Sequence, residues 1–291
     1  IYTARARMNP LVIEGVEAGG QLSLTTLVEN FPGFPEGVQG PELIQRMKDQ
    51  AAKFGTEYMA GDVTAADLSK GPFKLTVSGQ PIETRTLIIA SGASARWLGL
   101  PNEKALIGKG VSGCATCDGF FFREKDVIVV GGGDTAMEDA TFLTRFAKSV
   151  NLVHRRGELR ASKIMADRAR SNPKITFTLD TVVDEIMDPA KNEVTGARLR
   201  NVKTGQTTDK AVSAVFVAIG HEPNSRIFKG QLNMDAEGYL KTHEGVKTNV
   251  PGVFACGDVQ DRVFRQAITA SGSGCSAAIL AERFLESTDS H

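Results

Sequence analysis

Several residue types are scarce in these 291 residues: there is 1 Trp, with 3 Tyr, 4 His and 4 Cys. Four cysteines, only Cys114 and Cys117 close together, do not make the disulfide framework of a small secreted fold. His154, His221, His243 and His291 show no ligand spacing, and no second cysteine pair accompanies the first, so no metal is expected. Net charge is also absent. Lys plus Arg is 34 and Asp plus Glu is 34, which argues against nucleic acid as a partner. No apolar run is long enough to span a bilayer, so no membrane partner is expected. There is no signal-peptide pattern, although the first residue is Ile rather than Met. One close cysteine pair in such a background suits a reducing, cytoplasmic setting.

What is present is regular. Short Val/Ile-rich runs recur, each ending near glycine: residues 10–15, 86–94, 126–133, 214–220 and 252–258. They do not alternate, as expected of strands buried on both faces. Helical patterns lie between them, over 41–54, 135–147 and from 267 to 285; Ala136, Ala140, Leu143 and Ala147 share one face. Residues 73–90 and 194–220 repeat one plan, a β-hairpin followed by a strand ending at glycine. The expected class is α/β, with two similar Rossmann-like, three-layer dinucleotide-binding domains.

Gly131, Gly133 and Ala136 form G-x-G-x-x-A directly after a strand and at the start of a helix. Such a turn lets backbone N–H groups approach a pyrophosphate, and the helix N-terminus favours the anion. Gly132, Asp134 and Thr135 belong to the same expected nucleotide site, as do Ile219 and Gly220 at a later strand end. The next strand ends in His154, Arg155 and Arg156, followed by Arg160, with no carboxylate at the strand end. An acid there would hold a ribose 2′-hydroxyl. Guanidiniums suit a 2′-phosphate, so the residues point to NADPH.

The cysteines stand in "SGCATCDG", residues 112–119. A bridge across two residues closes almost no loop and adds little stability. A redox dithiol is the remaining reading, and Asp118 either shuttles a proton beside it or caps the local turn. Nicotinamide reduces a disulfide slowly on its own, so an intermediary such as flavin is expected.

Taken together, "GGQL", "ENFPGFP", "SGCATCDGFFFR", "GGGDTAMEDA", "HRRGELRASK" and "CGDVQDRVFRQAITASGSGC" resemble the low-molecular-weight thioredoxin reductases over essentially the whole chain. The resemblance implies an FAD domain in two segments, 1–95 and 224–291, with an NADPH domain over 96–223 inserted between them. It implies that Gly19, Gly20, Gln21, Leu22 and Asn30 approach FAD, together with Ser91 and Gly92. Gly257 and Asp258 would meet the ribityl chain, and Arg265, Gln266 and Ala267 the flavin ring. Glu14, at a strand end, would hold the adenosine ribose, as the dinucleotide rule also suggests. Cys117 would face the flavin, Cys114 would attack the disulfide of thioredoxin, and Asp118 would be the acid/base. The family alternates between two domain orientations and is homodimeric. That implies a homodimer here, with hinges at 92–98 and 221–224.

The resemblance has departures. "IYTARA" matches the later part of the family's first helix, so a strand, glycine turn and helix start of ~20 residues is expected to be missing. Without it the chain is expected to hold FAD poorly and to expose strand edges. Ser91 stands where Thr is usual, and Cys256 where Ala is common; Cys256 and Cys275 are expected to be core residues. Another disulfide acceptor, or an NADPH-binding remnant without catalysis, are the competing readings.

Overall fold

The computed structural model describes residues 1–15, 18–23 and 27–289, so His291 lies outside the described residues. It divides into two compact units. Unit 1 is Ile1–Ser94 with Glu222–His291, and unit 2 is Ala95–His221.

Unit 1 begins with helix α1 (Tyr2–Arg5), strand β1 (Leu11–Ile13), helix α2 (Gly20–Ser23), strands β2 (Leu27–Val28) and β3 (Val38–Gln39), and helix α3 (Gly40–Ala52). Pro41 sits in the first turn of α3, where its missing N–H is no loss, and Leu43 buries one face. Strands β4 (Glu57–Met59), β5 (Val63–Asp67), β6 (Phe73–Val77), β7 (Gln80–Thr84), β8 (Leu87–Ile89) and β9 (Ala93–Ala95) follow. Ser78 and Gly79 both have positive φ, the geometry of a tight two-residue hairpin between β6 and β7.

Unit 2 contains helix α4 (Glu103–Leu106), strand β10 (Val111–Ser112), helix α5 (Ala115–Asp118), strand β11 (Asp126–Val130), helix α6 (Asp134–Leu143), strand β12 (Ser149–Val153) and helix α7 (Lys163–Arg170). Then come β13 (Ile175–Thr178), β14 (Thr181–Ile186), β15 (Gly196–Asn201), β16 (Thr207–Ala211), β17 (Ala214–Val217) and β18 (His221–Pro223). The chain returns to unit 1 for β19 (Val253–Ala255) and the long helix α8 (Ala267–Asp289). β9 and β18, the strands in which the chain crosses between units, pair with each other.

The five-stranded parallel sheet of unit 2 runs β10-β17-β11-β12-β13. Its central strands β11 and β17 are apolar on both faces, as their unalternating runs require. Val127, Val129, Leu152 and Phe216 join α6 residues Ala136, Met137, Ala140 and Leu143 in one core. Ile128, Val130, Val153 and Val215 enter a second core with Val183, Ile186 and Leu199 of the antiparallel sheet β14-β15-β16. Helices, parallel sheet and antiparallel sheet are therefore three layers.

Unit 1 follows the same plan in pieces. β1 pairs with β4 and β8 with β19, both parallel, and β5-β6-β7 is the antiparallel sheet. When the two units are aligned by plan, β1 and β4 match β12 and β13, β8 matches β17, and β19 matches β10. The central place, held by β11 in unit 2, has no counterpart among the described residues of unit 1. Leu11 and Val12 of β1 are correspondingly exposed, at 39% and 40%.

Candidate functional site

In unit 2, Cys114 and Cys117 form a disulfide. Cys114 caps α5, and its Sγ accepts the backbone N–H of Cys117 at 3.2 Å and lies 3.4 Å from the Thr116 hydroxyl. Ser112 braces the turn, its hydroxyl accepting Cys114 N–H at 3.0 Å and sharing its single proton between the Cys114 carbonyl, at 3.2 Å, and the Asp118 carboxyl. Burial pushes the Asp118 carboxyl above its ordinary range, and a hydrogen bond from Ser112 pulls it partly back. Asp118 therefore keeps its proton to higher pH than a surface carboxyl, which suits it to donate one. Gly119 lets this segment sit against α6: a Cβ there would lie 2.9 Å from Leu143 Cδ2. Phe120 and Phe121, directly after it, are exposed at 48% and 41%.

The glycine turn joins β11 to α6. A Cβ on Gly131 would lie 2.4 Å from the Ala218 carbonyl oxygen, and one on Gly132 would lie 2.3 Å from the His154 ring. Nothing lies within 4 Å of the corresponding point on Gly133, which faces open space. Backbone can thus be approached closely there, and the residues fit a pyrophosphate at the start of α6. Ala136 is fully buried, packed beneath Gly131. Asp134 is committed to the fold, its carboxylate accepting Ser162 N–H at 2.7 Å. Thr135 is half-buried in the first turn of the helix.

His154 is buried, its Nε2 3.1 Å from the Glu158 carbonyl. Burial lowers its pKa, the Glu158 bond opposes this, and the charges of Arg160, Arg155 and Arg156 lower it further. It stands as the neutral floor beneath Gly132. The loop beyond it folds over the turn, with the N–H groups of Arg160 and Ala161 both donating to the Gly132 carbonyl, at 2.7 and 2.9 Å. Arg155, Arg156 and Arg160 are exposed, and their guanidiniums have no hydrogen-bond or ion-pair partner among the described residues. Arg156 and Arg160 line an open cleft of about 530 Å³ with Gly157, Glu158, Leu159 and Lys203. Lys203 was not read from the sequence, because it comes from the β15–β16 turn and only the fold brings it here. Ile219 and Gly220 follow β17, Gly220 with φ +100°.

In unit 1, Asp258 follows β19 and is half-buried. Burial, then the charge of Asp261, push its carboxyl up to about 6, against the pull of Arg265. It has no side-chain hydrogen bond among the described residues, so a hydroxyl donor such as a ribityl chain would satisfy it. Gly257 N–H donates to Ser273 Oγ at 2.9 Å, which ties this turn to α8. Arg265 has φ +48° and hydrogen-bonds Tyr239. Asn30 Nδ2 donates to Gln266 Oε1 at 3.2 Å, joining two widely separated expected residues; Ala267 opens α8 beside them. Ser91 Oγ donates to the Asn224 carbonyl at 2.7 Å, and Gly92 takes φ +68°. Gly19 and Gly20 both have positive φ and open α2; Gln21 on it is exposed, while Leu22, like Phe31 and Phe34, packs against the buried cluster of Val28, Val38 and Leu43. Glu14 follows β1 and forms an ion pair with Lys48 at 2.6 Å. These residues fit the ribityl and ring portions of a flavin. A second strand-end glycine turn for its diphosphate is not found among the described residues of unit 1.

Cys256 is in the core and burial pushes its thiol up to about 11, whereas Cys275 is half-buried against Tyr2. Among the described residues there is no cluster of three or more His, Cys, Asp or Glu fit for a metal, and no helix long and apolar enough to cross a membrane.

A disulfide, a strand-to-helix glycine turn and an exposed arginine loop beside it, all in one inserted unit, define a class: nicotinamide-dependent disulfide oxidoreductases. The family described as pyridine nucleotide-disulphide oxidoreductase matches residues 1–274, and the chain belongs to it. The family implies a flavin and a nicotinamide cofactor. Thioredoxin reductase of Streptomyces coelicolor is 55% identical over 289 residues, covering 98% of this chain and 89% of that protein. Thioredoxin reductase of Mycolicibacterium smegmatis is 55% identical over 291 residues, covering 99% and 93%. The crystal structure of thioredoxin reductase from Streptococcus pyogenes MGAS5005 superposes with a TM-score of 0.92 at 42% identity, covering 98% of this chain and 94% of that one.

Proposed function

We propose that the chain is an NADPH-dependent thioredoxin reductase that holds FAD in unit 1 and NADPH in unit 2. The observation that carries this is the Cys114–Cys117 disulfide with two donors aimed at Cys114 Sγ and the Asp118 carboxyl alongside. Bound together, nicotinamide and flavin supply the electron pair that opens the disulfide.

Asp258, Arg265, Gln266, Asn30 and the glycines at 19–20 are the residues to hold the flavin; residues 131–136 and the arginines hold the nucleotide. Once the pair is reduced, the Cys117 N–H and the Thr116 hydroxyl stabilise a thiolate on Cys114 rather than on Cys117. Cys114 is therefore the attacking thiolate. It forms a mixed disulfide with thioredoxin, one thioredoxin sulfur departing and taking a proton from Asp118. Cys117 then gives its proton to the Asp118 carboxylate and attacks Cys114 Sγ; the second thioredoxin sulfur leaves as a thiolate that takes a proton from water, and the intramolecular disulfide is restored. Exposed Phe120 and Phe121 favour a protein acceptor over a small disulfide, since apolar surface beside a reactive pair is covered best by a partner. A homodimer acting in the cytoplasm is part of the same reading, because a reactive dithiol is maintained in a reducing compartment.

The test is NADPH oxidation followed with oxidised thioredoxin and added FAD. Turnover is expected to need thioredoxin, to vanish in Cys114→Ser and Cys117→Ser, and to fall about 100-fold in Asp118→Asn with NADP⁺ binding unchanged. Equal turnover by Cys114→Ser, or a small disulfide serving as well as thioredoxin, would sink it.

A further inference from the structure

We propose that Lys203 is a fourth cation of the nucleotide pocket, carried in from the antiparallel sheet, and that it sets preference for a 2′-phosphorylated ribose by shielding that phosphate from Asp180. The inference rests on the arginine loop being the 2′-phosphate end of the site.

Lys203 shares one cleft with Arg156 and Arg160 but belongs to a different layer of unit 2. Its turn is tightly fixed. Asn201 Oδ1 accepts the N–H groups of Lys203 and Thr204, at 2.9 and 3.0 Å, and Val202 N–H donates to the Asp180 carbonyl at 2.7 Å. Lys203 Nζ lies 2.8 Å from Asp180 Oδ2, with the lysine side chain 69% exposed and the carboxylate only 20%.

Asp180 is placed to matter. It precedes β14 with φ +51°, and its N–H donates to the Arg156 carbonyl at 3.2 Å. Its carboxylate fills the space beside Gly157: a Cβ at 157 would lie 3.3 Å from both oxygens. A negative charge thus underlies the loop that displays the arginines. Such a charge would repel a 2′-phosphate, which carries between one and two negative charges near neutral pH. An ammonium has three donors, and one on Asp180 leaves two for an anion. Lys203 can therefore bridge Asp180 and a phosphate. Removing it both deletes a donor and bares the carboxylate.

This double effect separates the proposal from a lysine that only adds to a diffuse positive field. The measurement is calorimetric titration of the full chain and its variants with NADP⁺, NAD⁺ and adenosine 2′-monophosphate, at two salt concentrations. Lys203→Gln is expected to weaken NADP⁺ and adenosine 2′-monophosphate at least tenfold while leaving NAD⁺ within twofold. Lys203→Arg is expected to retain most affinity. Adding Asp180→Asn to Lys203→Gln is expected to restore at least threefold, since Asn also accepts a left-handed backbone. Melting curves of the variants check folding, which an exposed lysine should not disturb. If Lys203→Gln binds NADP⁺ like the parent while Arg156→Gln loses affinity, the proposal is overturned and the arginine reading stands. If the parent does not prefer NADP⁺ to NAD⁺, both are overturned.

Discussion

Asp258 holds a charge where the protein disfavours one. Its folded-state pKa of about 6 lies above the ordinary 3.8, so the protonated form is the one that folding favours. Stability from this group is full below pH 4 and is lost as pH rises through 6. At about 1.4 kcal/mol per unit the loss approaches 3 kcal/mol, trimmed by partial solvent access to about 2. Asp258→Asn is therefore expected to raise the melting temperature of the ligand-free chain by about 5 °C at pH 7.5 and by almost nothing at pH 4. Parallel melts at the two pH values check this; an equal shift at both would mean that the charge is not the cause. The carboxylate itself was legible, as an acid at a strand end before a small-residue helix. Gln21 and Asn30 were not legible from residue chemistry, because exposed polar loop residues carry no pattern. His154 was read as a ligand-side residue, yet it lies buried beneath the turn, a depth that its sequence position beside three arginines does not reveal.

At the scale of elements, context separates a turn from a coincidence. Gly272, Gly274 and Ala277 also spell G-x-G-x-x-A, but they lie inside α8 with no strand before them. Only the string between β11 and α6 has the geometry, and its glycines have different jobs. Gly132→Ala is expected to destabilise unit 2 by about 2 kcal/mol, because its Cβ would collide with the His154 ring. Gly133→Ala is expected to leave the melting temperature unchanged and to weaken NADP⁺ binding about tenfold, because its Cβ would enter only open space. Melting curves and nucleotide titration of the two variants check the split; equal destabilisation by both would refute it. The three helices read from the sequence pattern, α3, α6 and α8, were legible to within a few residues, whereas α7 and the short helices α2, α4 and α5 were not read. The pattern over 135–147 ran past Leu143, where α6 ends, because the following turn keeps Ala147 on the same buried face. The two hairpins proved to be three-stranded sheets. The third strand in unit 1, β5, reads "VTAAD", too short of large apolar residues to announce itself.

At the scale of the molecule, the insertion of one unit into another was legible only through the repeated plan. The sequence carries no linker of distinctive composition to mark the crossings. Unit 2 has a continuous five-stranded sheet with a core on each face, whereas unit 1 has two separate parallel ribbons and exposed apolar residues on β1. Residues 95–221 alone are expected to fold cooperatively and to bind NADP⁺ as the full chain does. Circular dichroism melts and titration of that fragment test this, and a fragment that is unfolded at 25 °C would defeat it.

The ends of the insert also meet. Arg96 N–H donates to the Gly220 carbonyl at 3.0 Å, and across the boundary in unit 1 Asn224 N–H donates to the Gly92 carbonyl at 3.0 Å. To an unfolded unit 1, unit 2 is a flexible loop of roughly 130 residues, whose closure entropy opposes assembly by about 4 kcal/mol. Once unit 2 has folded, that loop is effectively a hairpin turn, and the penalty is gone before the two halves of the host have to find each other.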